Sequence, residues 1–125
     1  MRIAVPICVF LFGTTFLWLT PAMSGKQGDL AGARWAVVQV LVWLSIIGFA
    51  AATWGIFRSQ TWWVPVTGGS AVLGVATAVM YLIAARGVPG IANLGSNVAI
   101  HIGVSLAILI AVATPRLREA IAQQL

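Results

Sequence analysis

Asn93, Asn97, His101 and Ser105 recur at intervals of four within Ile91 to Ala113, a stretch that is otherwise apolar. On an α-helix that spacing gathers side chains on one slanted face. A neutral imidazole there offers one donor and one acceptor, and each carboxamide offers both kinds of group. Two chemistries follow: hydrogen bonds that lock this helix to its neighbours, or a row of groups that replaces water around a neutral or weakly charged solute. A second row, Gly95, Ala99, Gly103, Ala107 and Ala111, repeats with the same spacing two residues out of phase. Two residues are about 200° of helix rotation, so the small residues face away from the polar ones. The pattern predicts helix packing along Gly95, Ala99, Gly103 and Ala107, where a large residue at Gly103 forces helices apart, and hydrogen bonding on the opposite side.

The elements that position these rows are set by composition. The chain has 125 residues, of which 61% are hydrophobic and 7% charged, with a mean hydropathy of +1.03. Soluble domains carry roughly 25% charged residues, and a small soluble domain cannot hide so much apolar surface. An all-α integral membrane protein is expected. Four apolar segments, about 3–22, 35–57, 64–85 and 91–113, approach the ~20 residues a helix needs to cross the hydrocarbon. Pro21 and the polar 24–34 stretch end the first, Arg58-Ser59-Gln60 separates the second from the third, and Arg86-Gly87-Val88-Pro89-Gly90 separates the third from the fourth. The last two connections only allow the chain to reverse. The result is a four-transmembrane-helix bundle running up-down-up-down (residues 1–114). An interfacial amphipathic tail follows at 115–125, with Thr114 as its cap and Leu117, Ile121 and Leu125 on one face. Arg2 followed by an apolar run and Ala22-Met23-Ser24 also resembles a cleaved secretory signal, but the uncharged run exceeds the ~7–15 residues of a signal core, and an uncleaved span is expected.

Thr14, Ser45, Thr77 and His101 fall near the centres of their four spans, so a polar cluster at the bilayer midplane is expected there. Trp18 and Trp35, and Trp54, Trp62 and Trp63, lie at span ends, where amphipathic rings favour the interface. Small residues at helical spacing recur in Gly48 with Ala52, Ala51 with Gly55, and Ser70 with Gly74 and Ala78; such pairs let backbones approach closely.

Several functions are excluded or disfavoured. The net charge of +5 reflects scarce acids, Asp29 and Glu119 alone, rather than basic clusters, so no nucleic-acid partner is expected. No carboxylate lies inside a span, which removes paired-carboxylate catalysis and argues against the embedded Glu or Asp that drives the small multidrug exporters, which this chain matches in size. A Ser–His pair without an acidic orienter gives little support to a triad. Gly25-Lys26 lacks the flanks of a P-loop. The single cysteine, Cys8, excludes an intrachain disulfide. A lone His beside Asn residues suits neither a soft metal ion nor a haem held within one chain. No enzyme, cofactor or metal site is expected.

The arrangement, with its Arg58 to Trp63 turn, resembles small four-helix membrane proteins of bacteria, which implies the bacterial cytoplasmic membrane. Arg2, Arg58, Arg116 and Arg118 on the terminal side, against Lys26, Arg34 and Arg86, lean toward cytoplasmic termini. The expected function is a structural or accessory membrane subunit whose partners are the lipid bilayer and a second copy or a larger complex. The alternative is a small oligomeric permease or channel with its path along Asn93, Asn97, His101 and Ser105.

Overall fold

The structure is a computed structural model that describes residues 3–25 and 30–125; Arg2 and Lys26, used above for orientation, and Asp29 lie outside the described residues. Every regular element described is helical: α1 (Ala4–Thr15), two 3₁₀ turns (Phe16–Leu19 and Pro21–Met23), α2 (Ala33–Phe57), α3 (Trp63–Ala85), α4 (Leu94–Ala113) and α5 (Pro115–Gln123). Three of these, α2, α3 and α4, are long and apolar enough to cross a membrane, and Ala4–Leu19 forms a shorter apolar helix.

The first segment is shorter than the expected 3–22. The Thr14 and Thr15 hydroxyls bond back to the carbonyls of Leu11 and Phe12, 2.7 and 2.6 Å away. Such local bonds compete with the α-helical ladder. From Phe16 the chain tightens to 3₁₀, and Thr20, ahead of Pro21, turns extended at φ −81°, ψ 154°. A residue before proline is pushed out of the α region.

Turn chemistry sets the reversals. Ser59 takes a left-handed φ of 49°, and the amides of Gln60 and Ser59 bond the carbonyls of Gly55 and Ile56. Together these close α2 with a Schellman motif. At the end of α3, Arg86 (φ −59°, ψ 126°) and Gly87 (φ 79°) make a type II turn, whose second central position needs positive φ.

Neighbours pack antiparallel in chain order. Trp35 meets Tyr81 edge-on, Ser45 meets Thr77, and Gly48 meets Ser70, so α2 and α3 run in opposite directions. Gly74 against Ser105 and Gly68 against Val112 set the same register for α3 and α4. Phe12 and Gly13 seat α1 on Phe49 of α2. Three of the glycines at these crossings have no room for a side chain, whereas Gly68 would meet Val112 only at ordinary contact distance. A Cβ on Gly13, Gly48 or Gly74 falls 2.6 Å from an atom of the facing helix. Gly48 and Gly74 are thus used as their small-residue patterns predict.

The α5 helix is followed by Gln124 and Leu125. Ile121 and Leu125 pack on the core while Leu117 stays exposed. Thr114 makes no side-chain cap, contrary to expectation. It stands at the N-cap all the same, and its carbonyl accepts the first intrahelical bond, from the Arg118 amide.

Candidate functional site

The α4 helix starts later than the apolar run suggests. Asn93, in the left-handed region at φ 54°, stands at the N-cap, a conformation that Asn tolerates better than most residues. Asn93 is therefore exposed at the helix mouth rather than part of the helical row. Its carbonyl accepts from the Asn97 amide and, at 3.1 Å, from the Ser96 hydroxyl. The row proper begins at Asn97, which is partly buried; His101 and Ser105 are both 0% exposed.

His101 is the centre of the site. Its Nδ1 donates to the Asn97 carbonyl at 2.6 Å. Its Nε2 lies 3.1 Å from the Thr15 hydroxyl, which also reaches the Phe12 carbonyl at 2.6 Å. The ring is enclosed by Phe16 at 4.6 Å and Phe12 at 5.9 Å between centroids, with Trp18 edge-on at 6.2 Å. Phe16 and Phe12 in turn lie on Phe49 of α2. One imidazole thus joins α4 to the end of α1 inside an aromatic cage.

Of the expected midplane cluster, Ser45 and Thr77 meet at 2.9 Å, and Thr77 also reaches the carbonyls of Leu73 and Leu41. Thr14 is not part of it. Its hydroxyl turns to Leu11, and Thr15, one residue on, faces His101. One residue is about 100° of rotation, so a correct depth can still carry the wrong face. Ser45–Thr77 and Thr15–His101 form two pairs in place of the one cluster expected of Thr14, Ser45, Thr77 and His101.

Ser105 and Tyr81 complete the polar interior. Both hydroxyls are buried without a hydrogen-bond partner among the described residues. The Asn97 side chain lies next to the Tyr81 hydroxyl without bonding it directly. The Ser105 oxygen is pressed against Gly74. Reading the row on α4 alone misses Thr15, Tyr81 and the Phe12–Phe16–Phe49 cage; the four-residue spacing of Phe12 and Phe16 is the one local signal for them.

The opposite row corrects the expectation of helix packing within the chain. Gly95, Ala99, Gly103 and Ala107 are all exposed, and a Cβ built on Gly95 or Gly103 meets nothing within 4 Å. The physical reason is the polar row. An imidazole must find protein partners where lipid offers none, so His101 turns inward to Thr15 and the small residues rotate out.

Above His101, Trp18, Met23, Asn93, Ser96, Asn97 and Ile100 line a vestibule of about 320 Å³. The ring itself is closed off from it. No family model matches the chain, and no curated protein and no solved structure matches it.

Proposed function

We propose that the chain is a four-span membrane protein, running up-down-up-down, that acts as a structural or accessory subunit and not as an enzyme. Ala4–Leu19 serves as the first span. Its twelve α-helical residues and four 3₁₀ residues extend about 26 Å at their standard rises. That is a few Å under the ~30 Å hydrocarbon core, a gap that bilayer thinning can absorb. The bilayer is that of a bacterial cytoplasmic membrane, and the chain meets its partner, a second copy or a larger complex, within the bilayer or at its surface.

The observation that carries this reading is His101. It is fully enclosed with a partner at each ring nitrogen, which suits a clamp between helices better than the wall of a path. A small oligomeric permease is the second reading, favoured by the polar vestibule at Asn93, Ser96 and Asn97.

The test pairs thermal midpoint in detergent with solute flux in liposomes for His101→Gln and His101→Leu. Gln still donates and accepts, so the subunit reading expects the midpoint to fall in the Leu variant, to hold largely in the Gln variant, and no form to conduct. Altered flux in both variants at an unchanged midpoint overturns it in favour of the permease.

A further inference from the structure

The α2–α3 and α3–α4 turns lie at opposite ends of the bundle. At the end that holds the α3–α4 turn, Arg34 and Arg86 line one cavity of about 470 Å³, together with Ala31, Gly32, Trp35 and Val88. Arg34 lies in the first turn of α2 and Arg86 caps α3. Both are exposed, and neither has an ion pair or hydrogen bond from its side chain among the described residues. Glu119, one of the two carboxylates in the sequence, belongs to α5 at the far end of α4. Two like charges that share a cavity with no counter-ion among the described residues repel each other and favour an anion between them.

Geometry narrows the class of anion. Guanidinium groups present paired N–H donors that match phosphoryl oxygens. Gly32 at φ 104° leads into α2 without a side-chain cap, and the first-turn residues Ala33, Arg34 and Trp35, whose amides have no intrahelical acceptor, line the same cavity. The inner wall is apolar: Trp35 and Ala84 are buried, and Trp35 lies edge-on to Tyr81. A charged mouth over an apolar wall fits an amphiphile better than a fully hydrated ion.

We propose that the cavity between Arg34 and Arg86 holds a phosphoryl anion, and that its source is the headgroup of an anionic phospholipid in the surrounding leaflet. The choice of a lipid source rests on the membrane reading above; the phosphoryl chemistry does not.

The test uses the full chain in detergent, titrated with phosphatidylglycerol, with zwitterionic phosphatidylcholine and with inorganic phosphate, reading retained ligand by native mass spectrometry. Phosphatidylglycerol is expected to be held about tenfold more tightly than phosphatidylcholine, the equivalent of one charge-assisted hydrogen bond. The double variant Arg34→Gln/Arg86→Gln loses that preference. Arg116→Gln/Arg118→Gln, at the other end of the bundle, keeps it. Thermal midpoints of both variants confirm that they fold. Displacement of the lipid by millimolar inorganic phosphate, lost in the Arg34/Arg86 variant, keeps the phosphoryl site and reassigns its source to a soluble ion. Equal retention of phosphatidylglycerol by the wild type and a folded Arg34/Arg86 variant, or no preference over phosphatidylcholine, overturns the proposal. Alkaline extraction of the wild type from vesicles separates the two readings: a protein that washes off refutes the membrane placement, while the phosphate titration still tests the cavity.

Discussion

The two sides of α4 carry rows of the same spacing in opposite surroundings. On one side His101 and Ser105 are fully buried; on the other Gly95, Ala99, Gly103 and Ala107 are bare. Where lipid surrounds a helix, a glycine facing outward forfeits only van der Waals contact, whereas an imidazole facing outward gives up the partner that another helix supplies, here Thr15. The larger penalty decides the rotation. Small residues become packing surfaces only where a neighbour already stands, as Gly74 does beneath Ser105 and Phe16.

That comparison can be broken from either side, and the largest effect is expected at Gly74. Its Cβ position lies 2.6 Å from the Ser105 oxygen and 2.9 Å from the Phe16 ring. Gly74→Leu therefore overpacks the α3–α4 crossing, at a cost of about 1–3 kcal/mol, read as a lower unfolding midpoint in detergent. An unchanged midpoint means that the two helices do not meet there.

His101→Leu comes next. It leaves the Thr15 hydroxyl and the Asn97 carbonyl without their imidazole partner, with an expected loss of about 1–3 kcal/mol. The loss is tempered because Thr15 keeps the Phe12 carbonyl in reach. Reversible denaturation should rank the forms wild type, Gln and Leu in order of falling stability; equal stability of all three removes the clamp.

Ser105→Ala takes away a buried hydroxyl that has no partner among the described residues. Its effect is expected to be neutral or slightly stabilising, within about 0.5 kcal/mol. A clear loss points to a water or a second chain that bonds this oxygen.

The smallest effect is expected for Gly103→Leu, within about 0.5 kcal/mol, since none of the described residues outside its own helix lies within 4 Å of its Cβ position. This reverses what the row of small residues suggests by itself. A drop in midpoint that depends on protein concentration shows that another copy covers this face.

The turns were legible in the sequence because turn chemistry is local. Arg58-Ser59-Gln60 and Arg86-Gly87 act through their own φ values and neighbouring carbonyls, and α2 and α3 begin within two residues of expectation. Depth was legible too: Ser45 and Thr77 meet as their positions along the spans suggest. Rotation was less so. Thr15 replaces Thr14 because the face of a short helix depends on where its ladder tightens to 3₁₀, which the Thr hydroxyls and Pro21 settle together. The outward turn of Gly103 depends on the balance between two rows of one helix, and only the neighbouring helices reveal its outcome.

The contacts of His101 hold one more consequence, visible when protons are counted. A carbonyl brings none, so the proton between Nδ1 and Asn97 belongs to the ring. In the neutral ring Nε2 is then bare and accepts from Thr15. Thr15 owns a single hydroxyl proton, yet it faces two acceptors, Nε2 and the Phe12 carbonyl. Two protons serve three links, so the hydroxyl is a two-position rotor. In one position it ties α1 to α4; in the other it closes on its own helix and lets the imidazole go. A third proton, arriving on Nε2, satisfies all three links at once and removes the choice. The joint between α1 and α4 is therefore a coupling with slack of one hydrogen atom.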